Sequence, residues 1–183
     1  MHDLSDVLVV VDYQKDFVDG SLGFNKASLI EDKILERIEK YLKINRGVFF
    51  TFDTHSENYL ETREGRALPI KHCIYKTSGW DLYGKLSKYQ DFKTKNTYKI
   101  LKKTFGSNSL QFEINSNFTK INSIEICGLV TNLCVLSNAV MLQNSFVDTK
   151  IVINAELCSS YDEELHEKAL DIMTGLQFEV INR

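Results

Sequence analysis

The sequence predicts a three-layer α/β domain built on a mostly parallel sheet. Short apolar runs rich in β-branched residues end in polar ones, as strands buried on both faces do. Stretches of helical period lie between them, and the two kinds alternate along the chain. That is the pattern of repeated strand–helix–strand units. No internal repeat, low-complexity tract or linker interrupts it, so residues 1–183 are expected to form a single domain.

The first strand is the run "DVLVVVDYQ". In "SLIEDKILERIEKYLKIN", Ile30, Ile34, Ile38 and Leu42 recur every four residues with Leu35 and Tyr41 beside them. This is an amphipathic helix with Ser28 as its expected N-cap. "GVFFTFDTH" is a second buried strand. Residues 54 to 97 are irregular and hold the only proline. Long loops in compact domains are functional or disordered; with Tyr75, Trp80 and Tyr83 available for packing, order is expected. "NTYKIL" is a short strand, and "SNSLQFEINSN" a short helix capped by serine or asparagine. "INSIEICGL" and "TKIVINAEL" are strands flanking the helix "TNLCVLSNAVMLQNS". "DEELHEKALDIMTG" is the last helix and "QFEVIN" the last strand.

The chain is long enough to bury a sizeable core. Hydrophobic residues make up 43% and charged residues 26%, ordinary for a globular protein. A net charge of −3 gives no electrostatic grip on nucleic acid or an anionic membrane. No apolar run reaches the roughly 18 residues of a membrane span. The N-terminal apolar run is short and follows acidic residues, unlike an export signal. Cys73, Cys127, Cys134 and Cys158 lack disulfide-framework spacing, so free thiols and a cytoplasmic location are expected.

Sites in open parallel sheets form beyond the carboxyl ends of the strands. Asp12 follows "VLVVV"; Asp53 and His55 follow "GVFFTF"; Cys134 follows "IEICGL" in the first turn of the next helix. Unpaired N–H groups and the helix dipole there favour a thiolate and can receive an oxyanion. A thiol attacking a carbonyl needs a base and a cation. Asp12 is the candidate base, and Lys102 or Lys103 in "YKILKKTFGS" the candidate cation. Each feature alone is also common in cores, caps and solvated faces.

Together, "VVVDYQKDF", "KKTFGS" and "GLVTNLCV" resemble the three signature segments of the isochorismatase-like cysteine hydrolases, in order and spacing, over nearly the whole chain. The resemblance implies a six-stranded parallel sheet with helices on both sides. It implies Asp12 as base, Cys134 as nucleophile and, counting back from Phe105, Lys102 as the cation. It also implies a cis peptide between Val130 and Thr131, with Val130 and Thr131 beside the substrate, and a homo-oligomer.

In "FDTHSENYLETREGRALPIKHC", Asp53 and His55 lie at i and i+2 and so share one face of a strand end. Imidazole with carboxylate suits Zn, Fe or Mn. The segment resembles that of metal-dependent nicotinamidases. This implies Asp53, His55 and His72 as ligands of a divalent metal ion, zinc first, with Glu64 as the fourth. Glu57 and Glu61 are poorer candidates. Leu68 stands where an aromatic is common in that group, while Phe17 is kept and can stack on a substrate ring. His2 and His166 are expected at the surface. The leading reading is an amidase for nicotinamide. Leu68 leaves room for another small amide or carbamoyl substrate, and a fold-retaining binding protein is the non-enzymatic alternative.

Overall fold

The computed structural model describes residues 5–183; His2 lies outside them. Among the described residues, six strands form one sheet: β1 (Ser5–Val11), β2 (Gly47–Asp53), β3 (Thr97–Lys102), β4 (Ile121–Leu129), β5 (Lys150–Ser159) and β6 (Glu179–Ile181). Their order is β3-β2-β1-β4-β5-β6, and every pairing is parallel. The helices are α1 (Lys15–Val18), α2 (Glu31–Lys43), α3 (Arg63–Ala67), α4 (Leu110–Asn117), α5 (Leu136–Ser145) and α6 (Glu163–Gly175). No helix among the described residues is long and apolar enough to cross a membrane.

Val7 to Val11 are each at most 1% exposed. Successive strand side chains point to opposite faces, so both faces of β1 are covered. That is why the run reads as continuously apolar. Helix α2 packs on β1 and β2 through Ile34, Ile38 and Tyr41. It also holds the buried Glu125 of β4, whose carboxylate accepts from Arg37, Tyr41 and Asn154. The helix begins at Glu31, not at Ser28. A 3-10 turn precedes it, and the Ser28 hydroxyl donates back to the Asn25 carbonyl (3.3 Å) instead of capping. Ser109, before α4, likewise makes no side-chain cap.

Residues 54 to 96 are compact, as expected, and carry several short helical turns. Trp80 is buried there; Tyr75 is half exposed and meets Trp80 edge-on at 5.1 Å. All four cysteines are unpaired and buried. The chain winds outward from β1 to β2 and β3 on one side, and from β4 to β5 and β6 on the other. The switch point between β1 and β4 opens a crevice at the carboxyl edge. Gly128 keeps these strands close. Its φ is +113°, and a Cβ there would run into the Val11 carbonyl.

Candidate active site

Three strand ends converge at the switch point. Asp12, just past β1, is fully buried in a left-handed backbone conformation (φ 46°), which is costly outside glycine. Its Oδ1 accepts the Thr51 hydroxyl (2.7 Å), and its Oδ2 lies 2.7 Å from Lys102 Nζ. Lys102 ends β3, and its ammonium spans β2 to reach Asp12. It stands 3.6 Å from Cys134 Sγ and donates to the Thr104 carbonyl (2.9 Å). Lys103 is exposed, so strand parity resolves which lysine joins the cluster.

The cis peptide is Leu129–Val130, one residue earlier than expected. Val130 already belongs to the following turn, its carbonyl accepting from the N–H groups of Leu133 (3.0 Å) and Val135 (3.2 Å). Thr131–Val135 form a wide π-turn that leads into α5 and carries Cys134. One turn on, the buried Asn138 amide donates to the carbonyls of Cys134 (2.8 Å) and Phe105 (3.1 Å), and its oxygen accepts from Ser107 N–H (3.0 Å). This ties the Phe105 turn to the cysteine helix.

Burial dominates the electrostatics. It raises the Asp12 carboxyl above the usual carboxylate range, against the pull of Lys102. It pushes the Cys134 thiol well above its ordinary value, again against Lys102. The lowering expected from the helix start is outweighed by burial. Burial also works against the Lys102 charge, but Asp12, the Cys134 sulfur and Asp53 together hold its pKa well above that of an ordinary lysine. Asp12 and Cys134 meet the same Lys102 ammonium, at 2.7 Å and 3.6 Å, which places the carboxylate to take the thiol proton.

Beside this cluster, donor atoms of Asp53, His55, Glu64 and His72 all lie within 4.8 Å of one another. The Nε2 atoms of His55 and His72 stand 3.0 Å and 3.3 Å from Asp53 Oδ2, and Glu64 Oε1 is 3.9 Å from His55 Nε2. His72 Nδ1–H donates to the Ile70 carbonyl (2.8 Å), which fixes the ring and turns Nε2 into the cluster. Asp53 Oδ1 is buried without a hydrogen bond, 3.5 Å from Lys102 Nζ. Burial opposes the Asp53 charge, but Lys102 and the two imidazoles hold its carboxyl far below the usual range. Two imidazoles and two carboxylates converging on one point fit a divalent transition-metal ion.

Two side chains brace these donors. Gln14 Oε1 accepts from Asp53 N–H (2.7 Å) and its Nε2 donates to the Asp53 carbonyl (3.0 Å). Asp16 accepts from the Cys73 N–H (2.7 Å), next to His72. Both lie in "DYQKDF" and were not singled out from the sequence; their position just past the end of the first strand was the available signal.

A cavity of about 440 Å³ opens over Cys134, within the range of small-ligand sites. Phe17, Leu68, Phe105 and Val130 line it, and Asp53, Glu64 and His72 border it. Leu22, Gly23, Leu133 and Tyr161 also line it; of these, Tyr161, just past β5, had a strand-end position to mark it. Thr131 does not line the cavity. Its fully buried side chain lies 2.8 Å from His166 Nδ1. His166 is therefore not a plain surface residue: its side chain is 12% exposed, and burial lowers its pKa.

The sheet, the crevice and the cysteine, lysine and aspartate within it define the class of an α/β cysteine hydrolase. The Isochorismatase domain profile matches residues 6–183, and the chain belongs to the isochorismatase family. An uncharacterized isochorismatase family protein, PncA, of Bacillus subtilis (strain 168) is 30% identical over 171 residues, covering 89% of this chain and 91% of that protein. The structure described as nicotinamidase/pyrazinamidase PncA from Bacillus subtilis matches with a TM-score of 0.87 at 28% identity, covering 97% of this chain and 99% of that one. The pyrazinamidase of Pyrococcus horikoshii in complex with zinc shares the fold, with a TM-score of 0.83 at 23% identity over 98% of this chain and 99% of that one.

Proposed function

We propose that the protein hydrolyses nicotinamide to nicotinate and ammonia through a cysteine thioester. The observation that carries this is the placement of Lys102 Nζ, 2.7 Å from Asp12 and 3.6 Å from Cys134, beneath a ring-sized apolar cavity bordered by the donor set. Asp12 takes the thiol proton as Cys134 Sγ attacks the carboxamide carbon. Lys102 offsets the negative charge on the pair. Backbone N–H groups of the cysteine turn, around Thr131 and Cys134, receive the oxyanion, each worth roughly 3 to 4 kcal/mol in comparable sites. Asp12 returns the proton to the leaving ammonia. It then draws a proton from water as that water opens the thioester, and nicotinate leaves with Cys134 restored as a thiol.

Phe17 and Phe105 flank the aromatic ring, with Leu68 as a flat apolar wall. Asp53, His55, Glu64 and His72 would hold a divalent ion, zinc on the precedent of the Pyrococcus pyrazinamidase; when bound, it would offer a Lewis-acid position to the lone pair of the pyridine nitrogen and so orient the ring. On this reading the enzyme works in pyridine nucleotide (NAD) salvage in the cytoplasm, where four free thiols are at home, and as a homo-oligomer, which sedimentation velocity checks.

The test is ammonia release from nicotinamide, pyrazinamide and an aliphatic amide of similar size. Both aromatic amides should exceed the aliphatic one in kcat/KM by at least about 100-fold. Preference for the aliphatic amide would move the assignment to the other small-amide hydrolases of the family, which Leu68 permits.

A further inference from the structure

The four donor side chains form a partition between two cavities. Asp53, Glu64 and His72 border the substrate cavity. His55 and Glu64 border a second groove of about 690 Å³ on the other side, lined also by Thr54, Tyr59, Arg63 and Lys103. His55 opens to the groove and not to the substrate cavity. Glu64 is the most exposed of the four donors, its side chain at 15% against 7% or less for the others.

The donors also differ in how firmly they are held. Asp53 is gripped on both backbone sides by Gln14, and His72 is pinned through Nδ1. Glu64 sits in the first turn of the five-residue α3, and its carboxylate stands 3.9 Å from His55 Nε2. A metal ion in a closed donor set leaves by stepwise replacement, as one protein donor swings off and an incoming donor takes its place. The donor best placed to swing, Glu64, borders the groove as well as the substrate cavity, and His55 borders the groove alone. Arg63 and Lys103 line that groove, are exposed and join no ion pair among the described residues, so their charges are available to attract anions.

We propose that the metal ion reaches and leaves the donor set through this outer groove, exchanged with small carboxylate chelates that Arg63 and Lys103 attract, while the substrate uses the inner cavity. The inference rests on the metal-holding part of the proposed function. Each exchange swaps one oxygen or nitrogen donor for another, with no change in the ion's oxidation state.

The experiment follows zinc transfer from the loaded protein to a dianionic chelator, pyridine-2,6-dicarboxylate, and to a neutral one, 1,10-phenanthroline. Zinc remaining on the desalted protein is the readout, independent of turnover. In the double variant Arg63→Gln/Lys103→Gln, transfer to the dianion should slow about fivefold or more at low ionic strength, and the difference should vanish at high salt. Transfer to phenanthroline should stay within about twofold. Saturating benzamide, an aryl carboxamide without a ring nitrogen, should leave transfer to the dianion unchanged. Equal rates in variant and wild type, equal slowing with both chelators, or slowing in proportion to benzamide occupancy would each overturn the outer route. Failure to bind stoichiometric zinc in equilibrium dialysis would overturn the metal assignment along with it. Zinc binding with charge-independent transfer would overturn the route alone.

Discussion

The two halves of the site are built differently. Asp12, Lys102 and Cys134 sit at or just beyond the ends of β1, β3 and β4, so the sheet itself sets their spacing. Of the four donors, only Asp53 ends a strand, and His55 lies just past it. Glu64 and His72 come from the loop-rich stretch after β2, Glu64 in the short α3 and His72 beside Cys73, whose N–H donates to Asp16; Gln14 clamps Asp53 and the Trp80 carbonyl of that stretch. The nucleophilic half thus inherits its geometry from main-chain pairing, whereas the donor half depends on a few side-chain clamps. Each half should fail in its own way when disturbed.

The sharpest separation is Cys134→Ala. It should lower ammonia release by about 10⁴-fold or more, while zinc affinity, measured by competition with a chelating dye, stays unchanged. Turnover surviving in that variant would rule out the thioester. Lys102→Met tests the one side chain that touches both halves. Turnover should fall by about 10² to 10³-fold. Zinc should bind at least as tightly, because a cation 3.5 Å from Asp53 Oδ1 has been removed; weaker binding would show that Lys102 braces the donors as well. Gln14→Ala should do the reverse, weakening zinc binding by about 10- to 100-fold, while the free protein keeps a Cys134 that alkylates at the wild-type rate.

The smallest effect concerns the brace behind the cysteine turn. Burial lowers the His166 pKa, with Glu163, Glu167, Lys26 and Arg183 as its charged neighbours. A histidine whose folded pKa lies below its unfolded value contributes fully above the unfolded pKa, near 6.5, and that contribution is lost as pH falls toward the folded value. In thermal melts from pH 5 to 8, His166→Asn, which places an amide where Nδ1 stood, should flatten the loss of melting temperature below about pH 6.5. Melting curves for the two proteins that stay parallel across that range would show that His166 does not titrate on unfolding.

Much of the fold was legible because both faces of β1, β2 and β4 are covered, which leaves long apolar runs, and because α2 shows a clear stripe. Strand-end residues were legible for the same reason: Asp12, Asp53 and Cys134 each stand where an apolar run stops or just beyond it. What could not be read depends on register and loop closure. From the residues alone Lys102 and Lys103 stay equivalent, and only the family resemblance chose Lys102; their difference is strand parity, fixed when Asp53 pairs with Lys102. Thr51 hides within an apolar strand until pairing with Val11 places its hydroxyl against Asp12. Leu22, Leu133 and Tyr161 reach the cavity through turns without a period, and the pairing of Thr131 with His166 spans 35 positions. Ser28 carried the sequence signature of a cap but bonds locally, since a 3-10 turn comes first.

Gly128 fixes how near the two central strands come, because no side chain separates its backbone from that of Val11. The distance from base to nucleophile is therefore a property of bare main chain. A single added methyl at this one position would wedge the catalytic pair apart.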